Sequence, residues 1–334
     1  MCKVGFVAVC IVVTFGARAA TFASEYALLK SLPASAAAFM LERGEPDAQG
    51  YVGFHRRDGK WYEAGMQRGG CRMVIAAVVD GDEARADAAW RAVEVTFAQQ
   101  LEDGGFVSNP QPGESFAPAK VERIETACFF LQECARAILV IKASPMAGHF
   151  EARLKELEPK LRRAADFIQQ GVEPLIWKVG HTANRLLITG KAYGLCGLVL
   201  NDDPLKASCA RLVAEALKRR DAEGVFIERG GRDSSYCAVS LLMGQQILLY
   251  LPNAELEAAM TQTMAWVRTR VMDTGEVMVE GNTRTGVGRE ASPVSGKTKE
   301  VNYREVAQAL CYFGVMRGDA EAVALAEKVA GFRK

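Results

Sequence analysis

Three stretches gather side chains that could do chemistry. In the first, GHTANRLLITGKAYGL (180–195), His181, Asn184 and Arg185 fall within the opening turn of a helix. His181 and Arg185 are four apart and Asn184 is three from His181, so all three can share one helical face. A helix N-terminus adds partial positive charge, and with these donors it suits a bound carboxylate. The plainer reading is that His181 or Thr182 caps the helix, with Asn184 and Arg185 bonded to loop carbonyls.

The second stretch, AEGVFIERGGRDSSYCAVSLLMGQQILLYL (222–251), runs from a Gly-containing turn through a polar loop, Glu228 to Ser235, into a uniformly apolar helix. Asp233 or Ser234 supplies the N-cap oxygen, and the helix opens with Tyr236. A tyrosine at such a mouth is a candidate general acid or base, and Arg232 stands one helical turn from it. Equally, Tyr236 is a core aromatic with a satisfied hydroxyl, and Arg232 an ion-pair partner of Asp233 or Glu228. The third stretch brings Glu280, Asn282, Arg284 and Arg289, then Asn302, Tyr303 and Arg304. Its glycines, Ser292, Ser295 and Lys297 suggest a mobile flap. Tyr236, Asn184, His181 and Arg232 are the candidates for chemistry. Arg185, Glu228, Asn282, Arg284 and Tyr303 are the candidates to hold a substrate.

The elements that must position them are helices. A leading helix over 25–42, interrupted or kinked at Pro33, is followed by a weak hairpin pattern at 51–64 around Asp58-Gly59. A repeating unit then begins, in which an apolar helix, a tight polar turn and a charged amphipathic helix alternate. The turns fall at Asp80-Gly81-Asp82, Ser144-Pro145, Asn201 to Pro204, Pro252-Asn253 and Arg317-Gly318-Asp319, spaced by roughly 50–65 residues. The apolar helices (66–79, 121–143, 182–200, 235–251, 301–316) suit an inner layer. The charged ones (83–102, 147–170, 204–221, 254–272, 319–331) suit an outer, solvated layer. Connections from outer to inner helix are long: 103–120, 171–181, 222–234 and 273–300. Three open with a related glycine turn, at Gly104, Gly224 and Gly275. Antiparallel pairing puts all the long loops on one face, with the heads of the inner helices. Five pairs and the leading helix would close, or nearly close, a double-layered ring; an open solenoid is the alternative.

The segments GHTANRLLITGKAYGLCGLVL and GVFIERGGRDSSYCAVSL resemble the α/α-toroid domain of polysaccharide lyases of the hyaluronate, chondroitin and alginate type. Those lyases show a helix-opening Asn motif one hairpin before a D-G-x-F turn that leads to a Tyr. The resemblance is specific over two of the five helix pairs. It implies an all-α, incomplete α/α toroid and cleavage of an acidic, uronate-containing glycan without a cofactor. It also implies that Asn184, with a His or Arg, neutralises the uronate carboxylate, and that Tyr236 moves the protons. Two positions depart from the pattern. Glu223 stands for the acid of the turn, and Glu228 and Arg229 stand where the family has a His, so the neutralising partner is His181 or Arg232. The β-sandwich domains of the larger lyases are absent.

The chemistry so implied is β-elimination. The proton at C5 of a uronate becomes acidic once the neighbouring carboxylate is neutralised and the enolate-like intermediate stabilised. A tyrosine, which ordinarily ionises near pH 10, acts as the base only where cations favour tyrosinate. The same hydroxyl could then protonate the leaving oxygen. A hydrolase on the same ring would need a carboxylate pair, for which Asp103, Glu228, Asp233 and Glu280 are available. A glycan-binding protein without chemistry is the third reading.

Composition sets the frame. The chain has 334 residues, 49% hydrophobic and 24% charged, with a net charge of +1 that argues against a nucleic-acid binder. Lys3, the apolar run Val4 to Phe15 and Ala17-Arg18-Ala19 read as a secretory signal peptide over 1–19, leaving 20–334 as a single exported domain, periplasmic or secreted. No later stretch looks able to span a membrane. The remaining cysteines (71, 128, 134, 196, 209, 237 and 311) are an odd, scattered set, expected mostly as small buried residues. The three histidines, His55, His149 and His181, have no metal-ligand spacing.

Overall fold

A computed structural model describes residues 22–52, 63–107, 119–291 and 296–333. The expected signal peptide and residues 53–62 of the expected hairpin at 51–64 lie outside them. Among the described residues helices follow one another and no sheet forms, only isolated β-bridges. The leading segment is two helices, α1 (Glu25–Lys30) and α2 (Ala34–Met40), because Pro33 lacks the N–H that would continue the first. Five inner helices follow: α3 (Arg68–Asp80), α5 (Lys120–Lys142), α8 (Ala183–Val199), α10 (Ser234–Leu248) and α12 (Tyr303–Arg317). Their outer partners are α4 (Glu83–Ala98), α6 (Ala147–Gln169), α9 (Asp203–Leu217), α11 (Ala254–Arg268) and α13 (Ala320–Phe332). One helix is additional. The expected loop 171–181 contains α7 (Val172–Val179), whose Val172, Leu175, Ile176 and Val179 recur at helical spacing.

Local chemistry sets both kinds of connection. Four of the short inner-to-outer turns end in an N-cap carboxylate or amide. Asp82, Asp202, Asn253 and Asp319 accept from the N–H groups of Arg85, Leu205, Leu256 and Ala322 at 2.9–3.1 Å. The three glycine turns share one geometry, with Gly104, Gly224 and Gly275 at φ +87°, +81° and +86°. Each is closed by a small antiparallel bridge (Gln100 with Phe106, Arg220 with Phe226, Val271 with Val277). Each also lies against the next outer helix: a Cβ on Gly275 would sit 2.1 Å from the Lys328 carbonyl, and one on Gly104 2.2 Å from that of Arg163. The repeat in the sequence is therefore a packing repeat, with the turn of one pair seated on the outer helix of the following one.

Inner helices pack in the order α3, α5, α8, α10, α12. The gap between the last and the first is filled by α2, packed on α12 and α13, and by α1 on α3 and α5. A chain of ion pairs spans the same gap, Arg72 to Glu42 at 3.2 Å and Glu42 to Arg304 at 3.3 Å. Stacked hairpins of this kind form an α/α toroid.

The centre of the ring is closed by charge. Glu133 of α5 bonds Lys191 of α8 (3.0 Å) and Arg136 (2.8 Å), Lys191 also reaches Gln246 of α10, and Arg136 meets Glu25 of α1 and Tyr312 of α12. Lys191 and Glu25 have no exposed surface. Burial lowers the Lys191 ammonium to about 8, against the opposing pull of Glu133. Breaking one partner out of such a network leaves an uncompensated buried charge.

Candidate active site

The site begins at two helix heads, of which that of α8 has no side-chain cap from its own N-cap residue. At α8, Thr182 spends its hydroxyl on the Val179 carbonyl. The Asn184 N–H, an orphan donor of the first turn, goes instead to Glu228 Oε1 at 2.8 Å. At α10, Asp233 Oδ1 accepts from the N–H groups of Ser235 (3.1 Å) and Tyr236 (3.0 Å). Its Oδ2 accepts from the N–H groups of Arg284 and Thr285, both at 2.8 Å. Asn282 Oδ1 takes the Ser234 N–H at 2.9 Å, while its Nδ2 donates to Ser234 Oγ and Thr285 Oγ1.

Residues 282–285 are thereby fixed to the head of α10. The expected flap is anchored here, with Asn282, Arg284 and Thr285 buried, while Val287, Gly288, Arg289, Ala291, Gly296, Lys297 and Thr298 are exposed. Ser292 and Ser295 lie outside the described residues. The anchoring delivers Arg284: its Nη1 lies 3.2 Å from Glu228 Oε2, and its guanidinium carbon lies 3.6 Å from the centroid of the Tyr236 ring. Lys299 Nζ lies 5.8 Å from that centroid, and Glu290 holds both cations.

Glu228 has no exposed surface, and burial pushes its carboxyl up to about 8, against the Asn184 N–H and the Arg284 guanidinium, which pull it down. Glu290 is held below its usual range by Lys299 and Arg284, which overcome its partial burial. His181 lies exposed at the rim. Partial burial and the neighbouring Arg229, Arg185 and Arg284 lower its imidazole pKa. Asn184 is 4% exposed, and its Oδ1 is buried with no hydrogen-bond partner among the described residues.

Tyr236 is half-buried and opens onto a cleft of about 550 Å³ lined also by Ser235, Val239, Lys299, Asn302 and Glu305. Asn302 ties α12 to α10 through its N–H to Ser235 Oγ (3.1 Å) and caps its own helix through Oδ1 to Glu305 N. Among the described residues no group of three or more His, Cys, Asp or Glu side chains could hold a metal ion.

The structure thus joins Asn184, Glu228, Arg284 and Tyr236 in one connected set. Other candidates go elsewhere. The guanidinium expected beside Tyr236 is that of Arg232, but Arg284 occupies that place. Arg232 is held by Asp221 and Glu223 and lies over Trp266, 5.5 Å from its ring centroid. Arg185 is paired with Glu125 at 2.8 Å. Tyr303 stacks on Phe332, and its hydroxyl accepts from the Val277 N–H. The Asn282 amide is spent on the loop anchor. Of the acids considered for a hydrolytic pair, Asp103 is paired with Arg123, and Glu228 and Asp233 are buried helix-head ligands. Lys299 and Glu305 were not singled out by sequence, since nothing local marks one Lys or Glu among many as cleft-lining.

No protein-family model matches the sequence, and no curated protein sequence does. Among solved structures the chain is similar to a sugar epimerase from a ruminal bacterium, with 10% identity over 84% of this chain and 80% of that one, at a TM-score of 0.52. It is also similar to the cellobiose 2-epimerase from Spirochaeta thermophila, with 12% identity over 83% and 77% of the two chains, at a TM-score of 0.51. At such identities the likeness is one of fold, an α/α toroid. These two structures are epimerases and not the polysaccharide lyases that the two sequence segments resemble.

Proposed function

We propose that the protein is an exported, carbohydrate-active enzyme that cleaves a uronate-containing glycan by β-elimination, with Tyr236 handling a proton in the cleft. The observation that carries this reading is Arg284, held 3.6 Å from the Tyr236 ring centroid by the anchored loop. A cation there sits beside the phenol, where negative charge grows as its proton leaves, and is already oriented before substrate arrives. Arg284 takes the part the sequence gives to Arg232. Asn184, at the head of α8, keeps its expected part as a donor to the substrate carboxylate, with His181 at the rim. The likeness to sugar epimerases favours a second reading on one point: epimerisation next to a carbonyl also begins with abstraction of a carbon-bound proton.

The test is a panel of uronic-acid polymers, followed by the ultraviolet absorbance of the C4–C5 double bond that elimination creates. Tyr236→Phe keeps the ring under Arg284 and should lower turnover by about 10²–10⁴-fold. Near-normal turnover in Tyr236→Phe would remove the tyrosine from the chemistry. New reducing ends without the absorbance would show hydrolysis.

A further inference from the structure

We propose that Glu305 is the base of this site and Tyr236 its acid, so that proton removal and proton delivery belong to two residues on adjacent inner helices. This rests on the reading above that the cleft handles a carbon-bound proton. Glu305 lies in the first turn of α12 and lines the same cleft as Tyr236 on α10. Its carboxylate is distinguished by what it lacks. Glu300, the other acid lining the cleft, pairs with Arg333; Glu42 is held by Arg72 and Arg304; Glu125 by Lys178 and Arg185; Glu290 by Arg284, Arg229 and Lys299. Glu305 accepts no hydrogen bond from a described side chain or backbone group, and its contact with Arg72 Nη2 is long, at 3.9 Å. A half-buried carboxylate (19% exposed) with unused acceptor capacity, facing a cleft, is equipped to receive a proton.

Arg72 is positioned for this arrangement. It links Glu305 to the central plug, reaching Glu133 Oε1 at 3.8 Å and Glu42 at 3.2 Å. Glu133 is in turn fixed by Lys191 and Arg136. Glu305 thus faces the cleft beside a cation held from below.

The step balances as follows. The Glu305 carboxylate takes the C5 proton, and the electron pair of the C–H bond moves through the enolate-like intermediate into a new C4–C5 double bond. The C4–O bond breaks, and the leaving oxygen takes the Tyr236 proton. Proton exchange with water returns both residues to their starting forms. No oxidant or co-reactant is needed.

The test follows carbon-bound protons by NMR in deuterium oxide, on two panels: oligouronates, and reducing neutral disaccharides that carry a proton next to a masked carbonyl. Wild type should exchange the C5 proton of a uronate and release unsaturated product. Tyr236→Phe should retain exchange while losing product, because the base is intact. Glu305→Gln should lose both by at least about 10²-fold, and Glu305→Asp, which keeps the carboxylate, should recover part of the exchange. Exchange only in the disaccharides, lost in Glu305→Gln, would refute elimination and support Glu305 as the base. Elimination at wild-type level in Glu305→Gln, or exchange abolished in Tyr236→Phe but kept in Glu305→Gln, would overturn the assignment and leave elimination standing. Wild type that exchanges no carbon-bound proton on either panel overturns both.

Discussion

Replacing Glu228 by Gln should make the protein's stability less dependent on pH, in a direction fixed by the burial of that carboxyl. Glu228 joins three parts of the site, capping α8 through the Asn184 N–H, pairing with Arg284, and accepting Thr283 Oγ1 at its carbonyl. Its carboxyl lies at about 8 in the folded chain, against an ordinary 4.5. Between those values the folded state holds a proton that the unfolded state has released. The free energy of unfolding therefore falls as pH rises, by about 1.4 kcal/mol per pH unit. The stabilisation is whole below the unfolded value and lost on passing the folded one, an upper limit of about 5 kcal/mol across the window. Gln cannot titrate, so the difference in stability between Glu228→Gln and wild type should climb in the variant's favour from pH 5 to pH 8. At pH 5 the amide should cost about 1 kcal/mol, because it still accepts from Asn184 but turns its NH₂ end toward Arg284. Urea unfolding followed by circular dichroism at several pH values between these limits measures the difference directly. A difference that stays flat with pH would show that Glu228 is ionised throughout, held by Arg284 and the head of α8, and would refute the argument from burial.

Other perturbations test the positioning device and the repeat. Asp233→Ala removes the cap of α10 and strands the Arg284 and Thr285 N–H groups, so it should cost about 2–4 kcal/mol. It should also speed amide hydrogen exchange at 282–285, whereas unchanged protection there would mean the loop is held by something other than Asp233. Gly275→Ala places a Cβ 2.1 Å from the Lys328 carbonyl at a φ of +86° and should destabilise by about 1–3 kcal/mol in thermal unfolding. A neutral effect would show that the turn is not seated on α13. Gly81→Ala, at a φ of +78° with nothing within 4 Å of the added Cβ, should cost only the backbone part of that penalty, about 1 kcal/mol.

The ring was legible because it is written in local chemistry, repeated. An Asp or Asn cap closes four of the short turns and a left-handed glycine opens three long ones, so the chain announces where each pair begins and ends without reference to any partner. The alternation of apolar and charged helices then fixes the layers, since a helix such as α10, apolar on every side and without a charged residue, has no charged face to offer water. One helix escaped: the apolar period of α7 is present in the sequence, but it lies in a stretch short enough to pass for loop. The break of the leading segment into α1 and α2 falls at Pro33, one of the two outcomes expected there, since an interruption and a kink look alike in sequence.

The site was legible only as far as its residues lie near one another along the chain. Arg232 is four residues from Tyr236 and Arg284 is forty-eight, so proximity in sequence favoured Arg232. In the folded chain Asp221 and Glu223, in the preceding glycine turn, draw the Arg232 guanidinium away over Trp266. Arg284 reaches the ring because Asp233, spotted in the sequence as a cap, uses its second oxygen on the backbone of residues 284 and 285. A single carboxylate can satisfy both a helix head and a distant loop, and sequence shows the first demand only. The central plug follows the same logic. Glu133, Arg136 and Lys191 are isolated charges in apolar helices, which alone would argue against burial. They are tolerable because each brings the partner that another lacks, and that mutual satisfaction exists only once the ring has closed. Glu305 is the converse case, a carboxylate with one long ion-pair contact, to Arg72. What sets it apart is the absence of a hydrogen-bond donor among the described residues, a property of the folded cleft and not of residues 300 to 310.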